Sequence, residues 1–266
     1  MPITCSVELS PIGQNSFHQI DNCIMGHAFD IHNEIGRFLD EKIYQSELAE
    51  RVTRSNLDAM REVSLHASHK SFSKDYYIDL LVNRSSIYEL KTADSLNGHH
   101  HKQTIHYLLL ANLRHGKIIN FRPGSVESKF VSTTLDLNKR RSYSIDQRNW
   151  INIDDFGEIL KNTLCSLLDD WGTCLEANLY REALLHLLKF PDGGLVPVEI
   201  HIEGRLSGRQ RMCLLTPTTA WHLSAIHKHF QSYENHILRL LQLTRLKAIH
   251  WINLNNLNVT LKTLRK

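Results

Sequence analysis

The chain has 266 residues, enough for one large domain or two ordinary ones, and 42% hydrophobic with 22% charged residues is the balance of a globular protein, which excludes a disordered or fibrous chain. A net charge of +3 is mild and neither requires nor rules out a nucleic-acid partner; a local basic groove would matter more than the total. No apolar run of about 18 residues occurs, so no transmembrane helix and no membrane partner are expected.

Residues Ile20 to Ile35 carry Cys23, Ile24, Ala28 and Ile31 at helical spacing, and Gly36 can end that helix. A second helical pattern follows with Ile43, Tyr44, Leu48 and Val52 on one face; Tyr44 reads either as core or as a substrate contact. Strand-like runs come next at 62–68, 75–82 and 86–92, then a helix over 100–113 and strands at 117–121 and 129–135. Helix, helix, three strands, helix and two strands describe an α/β domain around a mixed sheet. His99, His100 and His101 after Asn97-Gly98 read as a polar helix start, because three adjacent helical residues point in different directions and make a poor metal site.

The polar stretch 139–150, with Lys139, Arg140, Arg141 and Arg148, reads as a linker between domains at 1–138 and 151–266. Beyond it the order of elements recurs. A helix from Phe156 to Trp171 ends at Gly172, another runs from Leu175 through Leu187, and strands follow at 196–203 and 210–215. A leucine-rich helix over 234–246 then precedes the apolar run 248–254. Ile119-Asn120-Phe121 matches Ile252-Asn253-Leu254, Asp79-Leu80-Leu81 matches Cys213-Leu214-Leu215, and Glu41 matches Glu176, so a tandem duplication is expected.

One constellation in the first half carries chemistry. Asp79 lies in the apolar run Ile78-Asp79-Leu80-Leu81-Val82, and Ile87-Tyr88-Glu89-Leu90-Lys91 follows after four polar residues. Glu89 and Lys91 are two apart and share a strand face. A hairpin centred near Arg84 sets Asp79 opposite Glu89, so two carboxylates and an ammonium converge on one patch of sheet. Burying such a group is costly unless a divalent cation joins it.

The segments Ile31-His32-Asn33-Glu34-Ile35-Gly36 and Leu39-Asp40-Glu41-Lys42-Ile43-Tyr44 resemble the signature of the GxxExxY proteins, a family of the PD-(D/E)xK nuclease superfamily. The resemblance continues through Asp79-Leu80-Leu81-Val82, Glu89-Leu90-Lys91 and His100-His101-Lys102-Gln103 to Ile118-Ile119-Asn120-Phe121. Phe38 stands where the family's opening glycine is expected, with Gly36 just upstream. The fold it implies is two tandem restriction-endonuclease-like domains, each a central mixed sheet flanked by helices. It implies Asp79, Glu89, the Leu90 carbonyl and Glu41 as ligands of Mg²⁺ or Mn²⁺. Lys91 is implied as the residue that positions or activates water, with a lowered pKa beside the metal, and Gln103 as a support. In the second half the catalytic types are gone: Cys213 is read at the Asp79 position, His222 or Leu223 at Glu89, Ser224 or Ala225 at Lys91, and His236 at Gln103.

The expected activity is metal-dependent hydrolysis of phosphodiester bonds in nucleic acid, DNA more than RNA. The inactive repeat would act as a pseudo-dimer partner or binding platform, and Arg205, Arg209 and Arg211 read either as a phosphate-facing surface or as charge on a solvated strand edge. The alternative is a non-catalytic nucleic-acid-binding or scaffold subunit of a larger defence or mobile-element complex. Assembly as a homo-oligomer or with a partner subunit is open. Five scattered cysteines without a CxxC pair, and an N-terminus without a basic-then-apolar segment, lead to the expectation of a cytoplasmic protein with reduced thiols and no secretory signal.

Overall fold

The computed structural model describes residues 2–189 and 194–266. Internal contacts divide the chain into a first unit ending at Leu137 and a second starting at Asn138, with the hairpin tip His69–Phe72 counted in the second. Each unit is an α/β layer structure with one mixed six-stranded sheet.

The first unit runs β1 (Ile3–Cys5), α1 (Gln14–Ile35), α2 (Glu41–Arg54), β2 (Ala59–His69), β3 (Phe72–Val82), β4 (Ser86–Lys91), α3 (Gly98–Ala111), β5 (His115–Asn120) and β6 (Glu127–Ser132), and its sheet order is β1-β2-β3-β4-β5-β6. Phe17, Ile24, Ala28 and Ile31 recur at helical spacing along α1 and are fully buried. They pack with Tyr44, Leu48, Ala49 and Val52 of α2 against Leu80, Val82, Tyr88 and Leu90 on one sheet face. Strand β4 is buried on both faces from Ser86 through Leu90, because it sits mid-sheet and pairs parallel with β5. Tyr44 is core: its ring stacks on Phe121 at 4.4 Å and its hydroxyl donates to the Gly36 carbonyl at 2.8 Å. Ile43, expected on that same face, is 46% exposed.

The second unit runs α4 (Leu137–Arg141), which begins one residue before the boundary, then β7 (Ser144–Asn149), α5 (Asp155–Trp171), α6 (Ala177–Leu187), β8 (Leu195–Ile202), β9 (Arg205–Thr216), β10 (Thr219–Ser224), α7 (Phe230–Gln242), β11 (Ala248–Asn255) and β12 (Asn258–Arg265). Its sheet order is β7-β12-β11-β10-β9-β8. From β8 to β12 the order repeats that of β2 to β6. The hairpin β9–β10 is antiparallel like β3–β4, β10–β11 is parallel like β4–β5, and β11–β12 is antiparallel like β5–β6. The sixth strand differs: β1 extends the sheet beside β2, whereas β7 extends it beside β12.

The expected linker at 139–150 is therefore corrected. Strand β7 pairs parallel with β12, and Arg140 is 1% exposed with its guanidinium donating to the Trp171 carbonyl at 2.8 Å. Arg141 donates to the Asp170 carbonyl, and Arg148 pairs with Asp146 at 2.7 Å. An edge strand with no continuous apolar face looks like a linker, because the signal that marks a strand is burial of alternate residues. Arg205, Arg209 and Arg211 are exposed on the part of β9 that pairs with β8, whereas β10 pairs with β9 only from Cys213 on.

Helices α1 and α5 both end on a glycine with positive φ, 75° at Gly36 and 72° at Gly172, in a region that side chains hardly reach. A Cβ on Gly36 would meet open space, whereas one on Gly172 would lie 2.6 Å from the Arg140 Cβ. Gly36→Ala is expected to cost about 1–3 kcal/mol of backbone strain, and Gly172→Ala that strain plus about 1–3 kcal/mol of overpacking. Urea unfolding of the two variants measures the difference; equal losses would contradict the close packing at Gly172.

Candidate active site and metal centre

The hairpin between β3 and β4 builds the site. Asn83 and Arg84 both have positive φ, 49° and 55°, and the Ser85 N–H donates to the Val82 carbonyl at 3.1 Å, a type I′ turn whose twist suits a hairpin. The turn sets Leu80 opposite Tyr88, where the ladder ends, and so brings Asp79 and Glu89, the next residue on each strand, side by side. Tyr88 and Leu90 face α1 and α2, so Glu89 and Lys91 face the other side, where α3 lies.

The Lys91 ammonium lies among three carboxylates: 3.3 Å from Asp79 Oδ2, 3.6 Å from Glu89 Oε2 and 3.9 Å from Glu41 Oε1. Asp79 Oδ2 also accepts the Leu90 N–H at 2.8 Å, and the Asp79 N–H donates to Glu89 Oε1 at 3.5 Å. The Leu90 N–H thus joins this cluster through Asp79. Glu41 reaches the group from the first residue of α2. Gln103 donates to the Tyr107 hydroxyl at 3.2 Å one helical turn on, and Tyr107 lies close enough to the cluster to feel its charges. So Glu41, Asp79, Glu89 and Lys91 come together directly, and Gln103 connects through Tyr107.

Burial and mutual repulsion set the protonation states. Glu89 is 1% exposed, and its carboxyl is pushed well above the usual carboxylate range, first by loss of hydration and then by the Asp79 charge. Glu41 is raised by burial, partly offset by Lys91. Lys91 is pulled down by burial, but Asp79, Glu89 and Glu41 together outweigh this and leave its pKa raised. The lowered value expected for Lys91 belongs to a site with a bound cation, and this raised one to the site without it.

Sequence reasoning undervalued two groups. Asn120 is fully buried and ties down the chain that leaves Lys91: its side chain accepts the Ala93 N–H at 3.0 Å and donates to the Ala93 carbonyl at 2.7 Å. His100 completes a capping box with Asn97 and lies near enough to Lys91 for that charge to help burial lower its pKa. The signal for Asn120 was an amide within the apolar run Ile118-Ile119-Asn120-Phe121, at the end of β5. The histidine run is a helix start, as read.

Among the described residues, no three His, Cys, Asp or Glu side chains form a ready-made metal cage. A carboxylate pair is nonetheless what a hard cation that keeps most of its waters takes. Glu89 Oε2 supports that fit, being buried with no hydrogen-bond partner.

The corresponding place in the second unit is built on the same backbone plan. Asn253 accepts the Ile226 N–H at 2.9 Å and donates to the Ile226 carbonyl at 3.1 Å, as Asn120 does with Ala93. Ser224 pairs with Asn253 as Lys91 pairs with Asn120, so His222 stands at the Glu89 position. Trp221 pairs with Cys213 as Tyr88 pairs with Leu80, which puts Met212, not Cys213, at the Asp79 position. Tyr180 donates to the Gly172 carbonyl at 2.6 Å as Tyr44 does to Gly36, with equal spacing, which puts Ala177, not Glu176, at the Glu41 position. The sequence offsets were one residue out because they matched residue types rather than pairings.

With that geometry in hand, the comparison with known families is specific. Residues 18–131 match the family model of the PD-(D/E)XK nuclease superfamily. The match spans α1 through most of β6 and contains Glu41, Asp79, Glu89, Lys91 and Gln103. The α/β architecture with mixed sheets flanked by helices is consistent with that fold. No curated protein and no solved structure matches the chain. No helix among the described residues is long and apolar enough to cross a membrane.

A buried carboxyl whose pKa is raised on folding costs stability once pH exceeds its ordinary value near 4.5, because the folded state must then give up a proton it holds more tightly than the unfolded chain. Glu89→Gln is therefore expected to raise the thermal midpoint of the metal-free protein at neutral pH, with the gain vanishing as pH falls below about 4.5. Thermal denaturation across pH in EDTA checks this; a variant less stable than the parent at pH 7 would contradict it.

Proposed function

We propose that the first unit is a metal-dependent nuclease that hydrolyses phosphodiester bonds of nucleic acid, DNA in preference to RNA. The observation that carries the reading is the convergence of Asp79, Glu89 and Glu41 on the Lys91 ammonium within 3.9 Å, inside the segment that matches the nuclease superfamily. Asp79 and Glu89 would hold Mg²⁺ or Mn²⁺, with Glu41 orienting the group from α2. When bound, such an ion supplies a more acidic water and neutralises charge on a phosphoryl oxygen. Lys91, whose ammonium lies 3.3 Å from Asp79 Oδ2, would position or activate the attacking water. Gln103 and Tyr107 hold the α3 side of the site.

We read the second unit as a silent copy produced by tandem duplication. The shared strand order, the paired roles of Asn120 and Asn253, and the paired Gly36–Tyr44 and Gly172–Tyr180 bonds support this. Ala177, Met212, His222 and Ser224 leave it without a carboxylate for a hard cation. That same loss favours one second reading, in which the whole chain is a scaffold or nucleic-acid-binding subunit, and metal binding separates the two.

Cleavage of supercoiled plasmid and of single-stranded DNA with Mg²⁺ or Mn²⁺ tests the proposal. Asp79→Ala and Lys91→Ala are each expected to lower the rate by about 10²-fold or more, the scale for losing one electrostatic partner of the transition state. Mn²⁺ should raise the melting temperature of the parent protein but not of Asp79→Ala. Undiminished cutting by both variants would end the nuclease assignment, and a parent that neither cuts nor responds to metal would favour the scaffold.

A further inference from the structure

The second unit contains a cavity of about 520 Å³ at the place where the first unit has its carboxylates. Met212, His222 and His236 line it, and strand pairing makes the first two the counterparts of Asp79 and Glu89. Arg181, Tyr233 and Ile237 line it as well. Among the described residues no Asp or Glu borders it. The charge at this position has thus reversed sign: three carboxylates around an ammonium in the first unit, two guanidiniums, of Arg181 and Arg211, with no carboxylate in the second.

Arg181 comes from α6 and is held in place, donating to the Leu223 carbonyl at 3.2 Å and to Asn178 Oδ1 at 3.1 Å. Those two bonds use part of a five-donor fork, which leaves donors for a planar or tetrahedral anion. His222 and Tyr233 give the cavity an aromatic wall near the guanidinium. His222 Nε2 lies 2.7 Å from the Tyr233 hydroxyl, and their rings are 5.8 Å apart. Burial, with Arg181 nearby, keeps His222 below its ordinary pKa, so this wall is neutral. Met212 and Ile237 supply an apolar floor. A volume in the usual small-ligand range, with the hydrogen-bonded Arg181 and a second guanidinium at Arg211, two aromatic rings and apolar side chains, suits a ligand that joins an anionic group to a planar ring.

We propose that this cavity binds a nucleotide, its phosphate on Arg181 and its base against Tyr233 and His222. The inference rests on the nucleic-acid reading of the chain for its ligand class, and on the cavity itself for its site. The nucleotide is supplied either free or as an unpaired residue of a nucleic-acid strand; the recognition chemistry is the same, since every base presents a π-face to stack. In the second case the silent unit serves as a strand-binding platform.

Calorimetric titration of the full chain in EDTA with a deoxynucleoside monophosphate, the nucleoside, inorganic phosphate and a short single-stranded oligonucleotide tests this. Without metal no cleavage occurs, so failure to bind is read separately from failure to cut. One mononucleotide per chain is expected, bound at least about tenfold more tightly than phosphate or nucleoside alone. Arg181→Gln should weaken it by about tenfold, the scale of a charge-assisted hydrogen bond. Tyr233→Ala should weaken the mononucleotide but not inorganic phosphate, and circular dichroism verifies that both variants fold. If the oligonucleotide displaces the mononucleotide the strand is the source, and if it does not the free nucleotide is. Absent binding, or binding unchanged in Arg181→Gln and Tyr233→Ala, overturns the proposal.

Discussion

Everything in the first unit's site follows from placing three carboxyl groups around one ammonium at the end of a buried strand. Glu89 has almost no contact with water, so it is ionised only if something positive stands beside it. Lys91 supplies one charge for three acids, and the balance remains negative whenever all three ionise. That imbalance is what a divalent cation would relieve. The surrounding structure keeps the groups together: the I′ turn fixes the hairpin register, the Leu90 N–H fixes Asp79, and Asn120 fixes the chain beyond Lys91.

The second unit shows that the scaffold does not need the acids. Its sheet has the same β8–β12 order, its tyrosine and asparagine locks are in the corresponding places, and its apolar residues fill a core of their own. Met212, His222 and Ser224 pack where Asp79, Glu89 and Lys91 stand, which removes buried charge. Burial of the first unit's carboxylates is therefore a cost to folding that the residues at these positions in the second unit do not carry.

Much of this was legible in the residues. The helices from Ile20 and from Phe156 declared themselves by apolar spacing and a terminal glycine, and the hairpin that brings Asp79 near Glu89 followed from the length of one turn. What was illegible had identifiable causes. Strand β7 lacks an apolar face, and β1 is only three residues long, so neither produces a periodic signal. Strand β10 is short and buried on both faces, so no alternation marks it. The mistaken partners Cys213 and Glu176 arose because identity of residue type drew the alignment, whereas strand pairing and a tyrosine hydrogen bond decide it. The protonation of Lys91 depended on distances to three acids that no sequence prints.

The most direct measurement is a crystal structure of the full chain soaked in Mn²⁺, read by anomalous scattering. A peak within coordination distance of Asp79 and Glu89, with none beside Met212 and His222, is the expected result. An empty first site, or an ion bound only in the second unit, would contradict the metal centre on which the nuclease reading stands.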